Sequence, residues 1–242
     1  MPFTLSHAAA ALPFMRRPLV PSALVIGTLA PDLPYYVYVW NMRDLTHRPL
    51  GVVTVDVVIG AVAFAVWHRL LKRPLAALAP RRLRERLPVS APFSRVWVVP
   101  SLVIGAATHA AWDRFTHADA ARAMPVLAES VGGMALYQGL QLGGSVVGLG
   151  VIAWRLARWA RTAPVVESPV NAARGRTAVF AAAAGIAAAG CLSSVVLLPV
   201  SLSPQSLLFC GIVGSVAGAG SVLVGYCAWW HVADLVGPRR GR

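Results

Sequence analysis

The fold is decided by residues 177–200, which read TAVFAAAAGIAAAGCLSSVVLLPV, a run of 24 residues without a charged side chain. A second charge-free run of 25 residues, SLLFCGIVGSVAGAGSVLVGYCAWW, follows at 206–230. A helix needs about 20 mostly apolar residues to cross the roughly 30 Å hydrocarbon core of a bilayer. Both runs are therefore predicted to be membrane-spanning helices.

The composition of the whole chain supports a membrane protein. Of its 242 residues, 57% are apolar and only 13% are charged. An ordinary soluble domain carries about 25% charged residues, so this chain has too little charge to cover a surface that faces water. We predict an all-α fold, a polytopic integral membrane helical bundle.

Further apolar segments complete the predicted bundle. Three more pass the same length test, at 50–67, 96–117 and 134–154, which gives about five spanning helices. Residues 5–15 and 19–30 are too short to span, and we expect a short N-terminal helical hairpin over 5–30. The predicted organisation is a metal-site membrane domain at 1–160, a cytoplasmic basic loop at 161–176, and two C-terminal spanning helices with a basic tail at 177–242.

The arginine and lysine residues predict the orientation in the membrane. Positive charges in short loops mark the cytoplasmic side. Segments 68–95 and 155–176 and the C-terminal tail together hold sixteen of them, whereas 40–49, 113–138 and 201–205 hold four. We therefore predict a multi-pass protein of the cell membrane with cytoplasmic basic loops and C-terminus. The net charge of +13 makes membrane lipid the expected partner, and nucleic acid is not expected because basic motifs interleaved with aromatic residues are absent.

Ionisable residues inside apolar segments are the best indication of function, because they are costly in a membrane. His109, Asp113 and His117 recur at i, i+4 and i+8 and so face one side of a helix. Imidazole nitrogen and carboxylate oxygen suit a divalent metal, zinc or alternatively manganese. The other interpretation is a polar stripe solvated at the outer interface.

Three residues from other segments are predicted to lie at the same outer level. His47 begins the span at 50–67, Asp32 directly follows the second short helix, and His7 begins the first. Asp56 faces either this cluster, as a hydrogen-bond partner of a ligating histidine, or another helix. His68 and His231 fall at the inner ends of their helices and are excluded. The predicted metal ligands are His7, Asp32, His47, His109, Asp113 and His117.

Four motifs resemble an actinobacterial membrane family, domain of unknown function 4184. They are MPFTLSHAAAALPF at 1–14, LVPSALVIGTLAPDLPYY at 19–36, THRPLGVVTVD at 46–56 and GAATHAAWDRFTH at 105–117. More distantly, the order His, Pro-Asp, His-Arg and HxxxD resembles the membrane-bound metal-dependent hydrolases and the zinc-dependent phospholipase C group. That resemblance implies zinc ligation by His7, Asp32, His47, His109 and Asp113.

The sequence also departs from the phospholipase-like pattern. That pattern holds a later histidine and an HxxxE pair, whereas the only histidine after His117 in this chain is His231. The full three-metal site therefore cannot be rebuilt. We expect one metal held by Asp32, His47, His109 and Asp113, with His7 and His117 binding a second metal or positioning substrate.

These residues predict a membrane-bound metal-dependent hydrolase acting on a lipid or amphiphilic phosphoester at the extracytoplasmic interface. Asp113 and Asp32 would be the catalytic carboxylates, as ligands and proton acceptors. Arg48 and Arg114 would clamp phosphate, or alternatively extend to lipid headgroups. Two other function classes stay open: a non-enzymatic membrane protein with a structural or transport metal site, and a metal-dependent non-hydrolytic enzyme acting on a prenyl or lipid substrate.

Overall fold

The computed structural model describes residues 3–89, 92–166, 170–197 and 204–236. Within these ranges the chain is helical apart from one small β-hairpin, which confirms the predicted helical bundle. The chain forms two compact units. The first unit comprises Met1–Pro34, Tyr38–Phe64 and Pro92–Thr162, and the second comprises Tyr35–Val37, Ala65–Ala91 and Ala163–Arg242.

Helices of very different length make up the described ranges. In chain order, the α-helices are α1 (Ala8–Ala11), α2 (Pro21–Leu29), α3 (Arg43–Thr46), α4 (Pro49–Val53), α5 (Val55–Val66), α6 (Lys72–Leu78), α7 (Arg81–Arg84), α8 (Val98–Thr116), α9 (Ala118–Ala123), α10 (Leu136–Thr162), α11 (Arg176–Leu197) and α12 (Pro204–Val236). Short 3-10 helices cover Thr4–His7, Leu12–Phe14, Ala30–Val37, Trp40–Met42, Arg95–Trp97 and Pro125–Ala128, and a π-helical turn covers Trp67–Leu71. The hairpin pairs β1 (Ser130–Val131) with β2 (Met134–Ala135).

Among the described residues, four helices are long and apolar enough to cross a membrane: Pro49–Leu78, Leu136–Thr162, Arg176–Leu197 and Ser206–Val236. They coincide with four of the about five predicted spans, and the remaining one is 96–117. Helix α8 forms there, but His109, Asp113 and Arg114 interrupt the apolar run in its second half. Apolar side chains on the spanning helices point outward, as lipid-facing residues do; Val146, for example, is 72% exposed.

The N-terminal segment forms the short helical hairpin that its length predicted. The helical turns Thr4–His7, α1 and Leu12–Phe14 make the first arm, and α2 makes the second. Pro21 occupies the first position of α2, where its missing N–H leaves no hydrogen bond unmade. The backbone N–H of Val20, which precedes that position, donates to Ser101 Oγ at 2.9 Å and ties the hairpin to α8.

Two glycines let α2 and α8 approach backbone to backbone. A Cβ at Gly27 would collide with the Leu102 carbonyl, and one at Gly105 would collide with the Leu24 carbonyl. Leu24 and Leu102 are fully buried in this contact. Because side chains cannot separate the helices here, residues one turn further along α8 reach the backbone at the end of α2.

The second unit is built around α11 and α12. These helices also approach closely, since a Cβ at Gly190 would meet the carbonyl of Gly214. Leu78 from α6 packs against Tyr226 and Cys227 from α12. Helix α7 lies in the basic segment at 80–88, where Arg81 Nε donates to Glu85 Oε1 at 2.7 Å. The described features of this unit are therefore close helix packing and a positively charged segment.

Candidate metal centre

Six residues from separate segments of the first unit meet in one cluster. His109 and Asp113 lie one turn apart on α8, so the helical period alone places them together. The other four come from elsewhere in the chain: His7 ends a 3-10 helix, Asp32 lies in the 3-10 helix after α2, His47 follows α3 and His117 follows α8. His7, Asp32, His109 and Asp113 are each at most 5% exposed. The structure thus brings together all six ligands expected from the sequence.

Four side-chain atoms of the cluster form a closed ring of short separations between carboxylate oxygen and imidazole nitrogen. Asp113 Oδ2 lies 3.2 Å from His47 Nε2 and 3.5 Å from His109 Nε2. Asp32 Oδ1 lies 3.7 Å from the same nitrogen of each histidine. Zinc binds nitrogen and carboxylate oxygen at about 2.0–2.2 Å, which places neighbouring ligand atoms of a tetrahedron about 3.3–3.6 Å apart. The four oxygen–nitrogen separations are therefore close to those between neighbouring ligand atoms of a zinc ion, and Asp32, His47 and His109 can offer three ligand atoms within 4.8 Å of one another.

The same distances lie within the range of ion pairs but are longer than a strong hydrogen bond. A charge-assisted hydrogen bond between nitrogen and carboxylate is about 2.7–2.9 Å long. Within the described residues, Asp32 Oδ1, His109 Nε2 and both carboxylate oxygens of Asp113 are buried and accept or donate no hydrogen bond. Leaving several such atoms unpaired is costly, because burial removes their bonds to water. A shared cation would satisfy Asp32 Oδ1, His109 Nε2 and Asp113 Oδ2 at once.

A second group of ligand atoms adjoins the first. His7 Nε2 lies 3.6 Å from Asp113 Oδ1, the oxygen that the first group does not use. The His7 ring stacks on that of His109 with 3.8 Å between centroids. These two histidines with Asp113 can offer three ligand atoms within 4.8 Å of one another, as an alternative to the first group, because His109 Nε2 carries a single lone pair. His117 Nδ1 lies 3.4 Å from Asp113 Oδ2. Asp113 can therefore serve two neighbouring positions.

Hydrogen bonds on the far side of three of these residues, Asp32, His47 and His109, fix their orientation. His109 Nδ1 donates to the Thr28 carbonyl at 2.7 Å, which leaves Nε2 to face the cluster. His47 Nδ1 lies 2.9 Å from Thr46 Oγ1. Thr4 Oγ1 donates to Asp32 Oδ2 at 2.8 Å and leaves Oδ1 facing the histidines. Partners of this kind set the tautomer and rotamer of metal ligands, so the cluster is held in a ligating arrangement.

Burial keeps the two peripheral histidines neutral. Burial, with the nearby His109 as the next cause, lowers the pKa of His7 to about 3. Burial also lowers the pKa of His117 to about 4, against an opposing effect of Asp113. A neutral imidazole has the free lone pair that a metal ion needs, so both side chains hold the ligating form at neutral pH.

A cavity of about 430 Å³ opens beside the cluster. Its walls include His47, Asp113 and His117 together with Arg43, Arg114 and Asp119. Arg43 Nη1 lies 3.7 Å from Asp113 Oδ2 and 3.4 Å from His47 Nε2, so one guanidinium reaches both the cavity and the cluster. The site therefore combines clustered ligand atoms with two arginines around a space large enough for a small phosphoester.

Of the two arginines predicted to bind phosphate, Arg48 and Arg114, the structure places only one in the described wall of the cavity. Arg114 lines the cavity, as the phosphate-clamp interpretation requires. Arg48 is exposed at the start of α4, and the described cavity wall does not include it. Arg43 is one of the four basic residues of the outward-facing segments and was not predicted to be a site residue. Its spacing of four residues before His47 was the available signal, because residues at i and i+4 adjoin on a helix.

Three other ionisable residues complete the comparison with the sequence. Asp56 is buried, and within the described part of the chain neither of its carboxylate oxygens makes a hydrogen bond. It interacts electrostatically with His109 and Asp32, so it faces the cluster without the hydrogen bond to a ligating histidine that one interpretation expected. His68 and His231 belong to the second unit, where His231 Nε2 donates to the Leu70 carbonyl at 2.9 Å.

Comparison with known proteins identifies the family. The family described as domain of unknown function (DUF4184) matches residues 1–229, so the chain belongs to this family. No curated protein and no solved structure matches the chain significantly. All six clustered residues lie within the matched range.

Proposed function

We propose that this DUF4184 protein is a membrane-bound metal-dependent hydrolase that cleaves a lipid or amphiphilic phosphoester. The observation that carries the proposal is the set of buried ligand atoms on Asp32, His109 and Asp113 that make no hydrogen bond within the described residues and lie 3.2–3.7 Å from their neighbours. They adjoin a cavity that contains two arginines. The more distant likeness to metal-dependent hydrolases and phospholipase C supports the same reaction class.

The donor set fits zinc best. Two imidazole nitrogens and two carboxylate oxygens are borderline ligands that zinc accepts in tetrahedral geometry, and manganese would accept them with added water. Asp32, His47, His109 and Asp113 would hold this ion, with His7 and His117 beside it. When bound, such a cation supplies a Lewis acid for phosphoryl oxygen and makes hydroxide available near neutral pH.

The protein side chains would bind and orient the substrate. Arg43 and Arg114 carry the positive charge of the cavity and would hold two phosphoryl oxygens. In hydrolysis, the oxygen of water bonds to phosphorus and the bond from phosphorus to the leaving oxygen breaks. We assign the proton released by water to a carboxylate oxygen of Asp113 or Asp32, the two acids of the cluster.

The proposed location is the extracytoplasmic side of the cell membrane, supported by the few basic residues in segments 40–49 and 113–138. The test is cysteine labelling in intact cells, in a background without Cys191, Cys210 and Cys227. Asp119→Cys should react with an impermeant maleimide before permeabilisation, and Arg82→Cys only after it. The reverse pattern would place the site in the cytoplasm.

Metal content tests the site itself. Elemental mass spectrometry of the detergent-purified protein should find near-stoichiometric zinc or manganese in the wild type and in His68→Ala, a histidine of the second unit. His109→Ala and Asp113→Ala should lose it. No metal in the reconstituted wild type would overturn the metal site and favour a polar structural or proton-transport role.

Hydrolysis is tested separately on the same proteins. Metal-loaded wild type should release 4-nitrophenolate from alkyl 4-nitrophenyl phosphodiesters, and the two metal-free variants should not. Metal without phosphate-ester cleavage would favour the other open classes. Flux of metal ions into proteoliposomes would then identify transport, and conversion of a prenyl or lipid substrate without added water would identify non-hydrolytic chemistry.

A further inference from the structure

A second cavity adjoins the one beside the metal centre. It measures about 260 Å³, and its wall is formed by α4 and α8 with His47 between them. His47, Ala110 and Arg114 belong to the walls of both cavities. The charged cavity and this second one therefore share a boundary at the proposed metal ligand His47.

The second cavity differs from the first in chemistry. Apart from the shared His47 and Arg114, its wall consists of Pro49, Val52, Ala107, Ala110 and Ala111. The three alanines and Arg114 recur at i, i+3, i+4 and i+7, so they form one stripe along α8. Their small side chains leave an apolar groove opposite Pro49 and Val52, and the groove leads to the guanidinium of Arg114.

From this arrangement we infer that the groove of Pro49, Val52, Ala107, Ala110 and Ala111 binds the hydrocarbon chain of the substrate whose phosphate lies in the charged cavity. The inference rests on the proposed function and narrows its substrate class to an amphiphile with an extended alkyl or prenyl chain. The wall that the two cavities share, with the arginine in it, selects this occupant. When Arg114 binds the phosphate, the attached hydrocarbon chain lies next to the apolar groove.

The dimensions agree with this occupant. At about 30 Å³ for each methylene, the space of one water molecule, the groove holds a chain segment of about eight methylene groups. Ala107 and Ala111 are exposed on the surface of the unit, and α4, which forms the opposite wall, carries the exposed apolar residues Leu50 and Val53. A chain could therefore enter sideways from the lipid without its phosphate leaving the polar level of the membrane.

Filling the groove tests the inference. In the Ala107→Leu, Ala111→Leu double variant, each leucine adds three carbon atoms where the chain would lie, and both positions are exposed enough to accept them without entering the core. Ala153→Leu makes the same change at an exposed position of α10 and is the matched control. All proteins are full-length, metal-loaded and placed in lipid nanodiscs.

The first measurement compares dodecyl and ethyl 4-nitrophenyl phosphate. Because each buried methylene contributes about fourfold to binding, we expect the double variant to lower kcat/KM for the dodecyl ester at least about tenfold. The ethyl ester should change by less than about twofold, and the control should match the wild type for both. Equal effects on both esters, or no effect on either, would overturn the inference.

The second measurement does not depend on hydrolysis. A dodecyl phosphate carrying a diazirine on its chain should label α4 and α8 in the wild type and in Ala153→Leu, and labelling should be lost in the double variant. Excess unlabelled dodecyl phosphate should compete, whereas ethyl phosphate at equal concentration should not. Labelling elsewhere, or unchanged in the double variant, would refute the groove. Correct labelling without ester cleavage would refute only the proposed function.

Discussion

Replacing Gly105 with alanine tests whether close helix packing builds the metal centre. A Cβ at this position would lie 2.8 Å from the backbone nitrogen of Thr28 and 2.9 Å from Gly27 Cα. Since ordinary contact begins near 3.4 Å, α2 and α8 must separate by roughly half an ångström or more. The hydrogen bond from His109 Nδ1 to the Thr28 carbonyl, now 2.7 Å, would lengthen to the weak end of its range.

Two effects of this change can be measured. Overpacking two helices costs about 1–3 kcal/mol of the free energy of unfolding, so the protein should melt at a lower temperature. Loss of an orienting hydrogen bond to a metal-ligating histidine weakens metal affinity about 10–100-fold. Zinc affinity is measured by competition with a chelator, and unfolding is followed by tryptophan fluorescence in the same detergent.

Gly150→Ala is the control for a glycine in a helix. Gly150 lies in α10, and a Cβ there would meet no atom within 4 Å. Alanine should stabilise that helix by up to about 1 kcal/mol and leave zinc affinity unchanged. If Gly105→Ala bound zinc as tightly as Gly150→Ala, the helix contact would not position His109 and the reasoning would be wrong.

Three further predictions concern the cluster and its cavity. Thr4→Val keeps the shape of the side chain but removes the hydrogen bond to Asp32 Oδ2, so zinc affinity should fall about tenfold. The control Thr162→Val changes an exposed threonine of α10 and should leave zinc affinity unchanged. Equal affinities of the two variants would exclude Thr4 as an orienting partner. Arg43→Ala should raise KM for a phosphodiester about tenfold or more. Arg48 is exposed at the start of α4, so Arg48→Ala should change KM by less than about twofold. A larger effect of Arg48→Ala than of Arg43→Ala would identify Arg48 as the residue that binds phosphate. Bound zinc should decrease as pH is lowered from 8 to 5, because, against the opposing effect of burial, Asp32 and Asp113 raise the pKa of His109 to about 9, so that protons compete for its imidazole nitrogen throughout this range. Zinc content independent of pH would argue against ligation by His109.

The local features of this protein could be predicted from its sequence. Apolar runs at 177–200 and 206–230 are long enough to span a bilayer whatever their neighbours do, because a membrane helix satisfies its own backbone hydrogen bonds. The helical period alone placed His109 and Asp113 on one face, whereas His117, expected on the same face, follows the end of α8 with an extended backbone. The apolar run at 96–117 also predicted helix α8, in which polar residues of the cluster interrupt the second half.

The tertiary structure determined the distances between side chains of different segments. The sequence could place His7, Asp32 and His47 at one level, but the 3.2–3.7 Å spacing of the ligand atoms depends on the contact of α2 and α8 at Gly27 and Gly105. Arg43 lines the cavity because it lies on α3, which ends directly before His47. Hydrophobic periodicity reports which face of one helix is apolar, whereas a metal site needs side chains from several segments positioned to within an ångström. That precision comes from packing between segments, which the order of residues in each segment does not encode.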